Sequence, residues 1–150
     1  MKNFERVNDH IYSLRIPYMD IFTTVYLVRT ESGMLLFDTA SYDQDVEEYI
    51  VPALRELGVG EKELKYVFVS HDHTDHSGGL GRLLEVYPKV CVASGSEAIG
   101  EKFKEYTVLS PREGEILLAN DSICPLNRSS ARSRHSPDIE SGSPDRCLCA

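Results

Sequence analysis

The chain has 150 residues, 41% hydrophobic and 27% charged, which is the composition of one soluble globular domain rather than of a fibrous or low-complexity chain. Its formal net charge is −8, so the surface repels a phosphate backbone and nucleic acid is not expected as a partner. No stretch approaches the roughly 20 apolar residues of a membrane span, and residues 1–10 lack the apolar core of a secretory signal, so a cytoplasmic protein is the expectation.

Residues 4–38 are predicted as successive short strands. Ile11, Ser13 and Arg15 alternate with Tyr12, Leu14 and Ile16. Residues 23–28 are β-branched and apolar, Ser32 and Gly33 turn the chain, and residues 34–37 complete an antiparallel hairpin. A helix is expected next. Ser41 with Gln44 forms a capping-box pattern, Val46, Ile50, Leu54 and Leu57 fall on one face, and Gly58 is placed to stop it. Pro52 lies inside the pattern and is expected to kink or split the helix.

Residues 65–70 form a short continuous apolar run, the mark of a strand covered on both faces. A polar loop over residues 71–79 follows, then a helix near residues 80–87 closed by Pro88. Residues 90–93 read as a strand, 94–104 as a helix, and 106–109 and 115–119 as strands. This order, strands first and then alternating helices and strands, suits a sheet covered by helices on its outer face.

After Asp121 the character changes. Residues 122–150 contain no aromatic residue and no lysine, Arg, Ser and Pro dominate, and no apolar period survives. Such a segment buries too little surface to offset its ordering entropy, so a disordered tail is expected. The competing expectation is that it is translated out of its original frame. The cysteines, Cys91, Cys124, Cys147 and Cys149, lack paired zinc spacing and predict no disulfide framework.

Chemistry concentrates in the loop. His71, His73 and His76 lie within six residues, with Asp75 beside the last of them. His71 and His73 are two apart where the chain leaves a strand, so the period of two sends both imidazoles to one side. Asp75 and His76 follow once the chain has begun to turn and converge on a second point nearby. Gly78 and Gly79 allow tight backbone geometry before the next helix. Neutral imidazoles and a carboxylate suit zinc, which takes N and O ligands at about 2.0–2.2 Å.

The run His71-Asp72-His73-Thr74-Asp75-His76 resembles the H-x-H-x-D-H signature of the metallo-β-lactamase superfamily. It stands in the family's context, with an apolar strand before, Gly-Gly and a helix after, and upstream a strand ending in Asp38. The resemblance covers about residues 4–121. It implies an α/β (α+β) fold, the αβ/βα sandwich, of which this would be the N-terminal half only, with residues 122–150 as an atypical tail. It also implies metal ligation by His71 and His73 at one position and by Asp75 and His76 at a second. Zn2+ is the expected ion, two per complete site, with iron or manganese as alternatives. Asp75 would also orient the attacking water, and Asp38 would hold the metal-loop residues from behind, its lesser alternative being a simple strand-end turn residue.

The implied function is a metal-dependent hydrolase in which activated water attacks an ester, thioester, lactone or amide of a small-molecule substrate. The family completes its site with a later His, a bridging Asp and a final His. Downstream here stands only His135, in Arg134-His135-Ser136-Pro137, where Arg replaces the family's glycine; Asp138 and Asp145 have no family-like context. The alternative is therefore a truncated, inactive fragment that keeps part of the metal site. Half of a sandwich would also expose the inner face of its sheet and promote self-association.

Overall fold

The computed structural model describes residues 3–110 and the backbone of two further strands, Glu115–Leu117 and Ile123–Pro125. The chain divides into two units, Met1–Ser110 and Pro111–Ala150.

The first unit is built on a seven-stranded sheet whose order follows the sequence: β1 (Glu5–Arg6), β2 (Ile11–Tyr18), β3 (Ile21–Arg29), β4 (Met34–Phe37), β5 (Leu64–Val69), β6 (Cys91–Ser94) and β7 (Val108–Leu109). The pairs from β1 to β4 are antiparallel, as short connections allow, and those from β4 to β7 are parallel. Each parallel step moves one strand in the same direction across the sheet. Right-handed crossovers then place every connecting helix on the same face. The core lies there: Leu14, Ile16, Val25, Leu27, Leu36, Val67 and Val92 from the strands meet Val46, Ile50, Leu54, Leu80, Leu83 and Leu84 from the helices, all at 0–1% exposure. On the opposite face, Phe22 and Tyr26 stay exposed and Phe37 stacks on Phe68 with ring centres 5.2 Å apart.

The first crossover departs from the sequence reading in three ways. Its helix begins at α1 (Asp43–Asp45), passes through a π-helical turn (Val46–Ile50) and continues as α2 (Val51–Glu56). The capping carboxylate is Asp45 rather than the Ser41–Gln44 pair: its Oδ2 accepts from the backbone N–H of both Ser41 and Tyr42 at 3.0 Å. Pro52 produces the wide turn just ahead of it instead of a break, because a proline withholds one N–H and crowds the carbonyl four residues back. Beyond that turn Leu54 is fully buried, as expected. Val51 and Ala53 are buried, while Leu57, expected in the core, is 40% exposed. Gly58, at φ +74°, ends the helix as expected; its N–H reaches Arg55 O and Val59 N–H reaches Leu54 O.

The remaining helices are a single turn α3 (Thr74–Ser77) inside the predicted loop, α4 (Leu80–Val86), and α5 (Glu97–Lys102), which Ser96 caps by accepting from Ile99 N–H. No helix among the described residues is long and apolar enough to cross a membrane. In the second unit, β8 (Glu115–Leu117) pairs antiparallel with β9 (Ile123–Pro125). The rest of the expected tail lies outside the described residues.

Candidate metal centre

Strands β4 and β5 are parallel neighbours in register, Phe37 opposite Phe68, so their carboxyl ends leave the sheet side by side. The chain after β4 carries Asp38, and the chain after β5 carries Ser70 and His71. This is how residues more than thirty positions apart meet.

Asp38 is the centre of the arrangement. It is 3% exposed and adopts φ +66°, a left-handed conformation that Asp tolerates better than most residues. Its Oδ1 accepts from Ser70 N–H at 2.8 Å, and its Oδ2 accepts from Ser70 Oγ at 3.0 Å. The same Oδ2 lies 2.7 Å from His76 Nδ1. A buried carboxylate with three donors is a satisfied charge, which is the only inexpensive way to keep one.

The loop is fixed through its backbone as well. Thr39 N–H and Thr39 Oγ1 both donate to His76 O, at 2.8 and 3.1 Å, and Thr23 Oγ1 donates to Asp75 O at 2.9 Å. Ser77 Oγ donates back to His73 O at 3.0 Å. The two glycines serve close packing. A Cβ on Gly78 would sit 1.9 Å from Ser41 O, and one on Gly79 would sit 2.2 Å from Thr39 O, so any side chain would drive the loop off the segment that carries Asp38.

The sequence-predicted ligands occupy one neighbourhood. The ring centre of His71 is 4.7 Å from that of His73 and 4.2 Å from that of His76. His76 Nε2 stands 3.3 Å from Asp75 Oδ2. Among the described residues, no group of three or more His, Cys, Asp or Glu side chains is placed to hold a metal ion. His135, Asp138 and Asp145 lie outside the described residues.

The donor chemistry fits a metal ion. Because His76 Nδ1 gives its proton to Asp38, Nε2 presents a lone pair toward Asp75 Oδ2 unless the ring takes a second proton. Two acceptors at 3.3 Å repel each other, and a cation between them turns that repulsion into attraction. The separation is also close to the roughly 3.3 Å edge of a tetrahedron with bonds of about 2.0 Å. Sequence reasoning missed Ser70, Thr23 and Thr39 as supports. Ser70 stands beside the histidine motif and could have been suspected; the other two carry no signal apart from the fold.

The sequence profile of the metallo-β-lactamase superfamily matches residues 19–137. The chain is 34% identical over 71 residues to an atrochrysone carboxyl ACP thioesterase of Emericella nidulans, a match covering 47% of this chain and 22% of the relative. It is 30% identical over 79 residues to the probable hydroxyacylglutathione hydrolase of Schizosaccharomyces pombe, covering 52% and 28%. A flavo di-iron protein variant from Thermotoga maritima superposes with a TM-score of 0.62 at 25% identity, over 77% of this chain and 33% of that one. The chain thus spans about a quarter of the length of these curated relatives. A buried aspartate beneath a histidine-rich loop, on a mixed sheet with one-sided crossovers, agrees with that match: the chain belongs to the metallo-β-lactamase superfamily.

Proposed function

We propose that the protein is a zinc-dependent hydrolase acting on acyl compounds, thioesters first among esters, lactones and amides. The observation that carries this is the Asp38 carboxylate, buried under the loop and bonded to His76 Nδ1, so that Nε2 points toward Asp75. His71, His73, Asp75 and His76 would hold the metal. When bound, it would supply a Lewis acid that acidifies water and polarises the acyl carbonyl. The chain's own part is preparation. Asp38 fixes the orientation of His76, Thr23 and Thr39 hold the backbone of residues 75 and 76, and the half-exposed Asp75 carboxylate offers an acceptor that can orient water. The thioester preference is supported by the thioesterase relative.

Release of free thiol from an acyl thioester, in the presence of zinc, tests the reading. Hydrolysis should be suppressed by a chelator and abolished in His73→Ala. Hydrolysis that survives either treatment overturns it. Similarity to a flavo di-iron protein favours iron as a second occupant of the same donors. Metal analysis after exposure to equal zinc and iron separates the two, zinc retention supporting the proposal and iron retention the alternative.

A further inference from the structure

We infer that Ser70 is a positioning residue that relays the charge of Asp38 to His71 and fixes the proton of that imidazole on Nδ1. The inference deepens the reading of the loop as a metal site and rests on it for its purpose, while its geometry stands in the metal-free chain.

The argument is a count of protons. A serine hydroxyl carries one hydrogen and two acceptor lone pairs. Ser70 Oγ donates that hydrogen to Asp38 Oδ2 at 3.0 Å, since a carboxylate oxygen only accepts. Ser70 Oγ is also 2.8 Å from His71 Nδ1. Its hydrogen being committed, this second contact must be donated by the imidazole, so Nδ1 carries the proton and Nε2 keeps its lone pair. His76 reaches the same state directly, by donating Nδ1–H to the same Asp38 oxygen. One buried carboxylate therefore sets the tautomers of two imidazoles whose ring centres are 4.2 Å apart. Ser70 N–H, bonded to Asp38 Oδ1 at 2.8 Å, holds the relaying residue in register.

An unconstrained neutral histidine favours the proton on Nε2, which would block that nitrogen as a ligand. The relay reverses this preference for His71 before any metal arrives. Orienting contacts behind ligand imidazoles typically change metal affinity by roughly 10–100-fold. Ser70 is exposed, and Ser70→Ala leaves Asp38 the Ser70 N–H and His76 Nδ1 as donors, so the variant should stay folded and the effect can be read on folded protein.

The test uses the full chain without metal at pH 8, with 15N NMR of the histidine rings, His71 being assigned by the loss of its signals in His71→Gln. Wild type should show His71 and His76 protonated on Nδ1. Ser70→Ala should move His71 toward the Nε2–H form and leave His76 unchanged, and Ser70→Thr should restore the wild-type pattern. Zinc affinity, by competition with a chromophoric chelator, should fall about 10-fold or more in Ser70→Ala and recover in Ser70→Thr. An Nε2–H form of His71 in wild type, or a His71 ring unaffected by Ser70→Ala, overturns the relay. If the rings behave as stated but wild type takes up no zinc, the relay stands and the metal-site reading fails.

Discussion

Replacing Asp38 by Asn removes a charge while keeping shape, and the left-handed φ of +66° suits Asn as well as Asp, so the backbone gains no strain. Asn Oδ1 can still accept from Ser70 N–H. The amide nitrogen, in the place of Oδ2, would meet two donors, Ser70 Oγ and His76 Nδ1. Each hydrogen bond to a charged group contributes about 1.5–3 kcal/mol, so the ceiling of the loss is about 3–6 kcal/mol. Two relaxations lower it. Ser70 can turn its hydroxyl to water, and His76 can move its proton to Nε2 and accept from the amide at Nδ1. The net destabilisation should be about 1–3 kcal/mol, leaving a folded protein whose His76 presents the wrong nitrogen. Zinc affinity should then fall roughly 10–100-fold. Urea unfolding gives the first quantity and chelator competition the second. A folded Asp38→Asn chain that binds zinc as tightly as wild type would refute the reasoning.

Three further substitutions test the scaffold. Gly79→Ala sets a Cβ 2.2 Å from the backbone oxygen of Thr39 and should cost about 3 kcal/mol, seen as a lower urea midpoint. Tyr87 is buried and donates to Val59 O at 3.2 Å; burial holds its phenol above the ordinary value of about 10. The native state thus keeps this proton where the unfolded chain releases it. Its stabilisation is complete below pH 9 and is lost as pH climbs from about 10 toward the native value. Tyr87→Phe should be about 1 kcal/mol less stable than wild type at pH 8, with the gap closing at pH 10.5. Met19, 85% exposed at φ +52° in the β2–β3 turn, should yield about 1 kcal/mol of added stability as Met19→Gly, measured by the same unfolding assay.

The candidate ligands could be grouped from the sequence because their spacing is local: His71, His73, Asp75 and His76 sit within one turn and the strand end before it. Asp38 was legible only through family resemblance. What places it under His76 is the parallel pairing of β4 with β5, and a strand of four residues carries no sign of which later strand it will join. The relay through Ser70 depends on that same register. The helix face was read correctly at Val46, Ile50 and Leu54 and missed at Leu57, the residue that caps the helix end; the wide turn before Pro52 carries no sign in a period of 3.6 residues. The predicted strand over residues 115–119 appears as Glu115–Leu117, and Ile123–Pro125 pairs with it inside the segment where no period could be read.

On the proposed reading, Nε2 of His71 and of His76, both held by one buried aspartate, should bind metal. Following the histidine 15N resonances of the full chain as zinc is added tests it most directly. The two Nε2 signals should shift together and saturate while both Nδ1 protons persist. Zinc that leaves those nitrogens undisturbed, or that binds with their Nδ1 protons displaced, would contradict it.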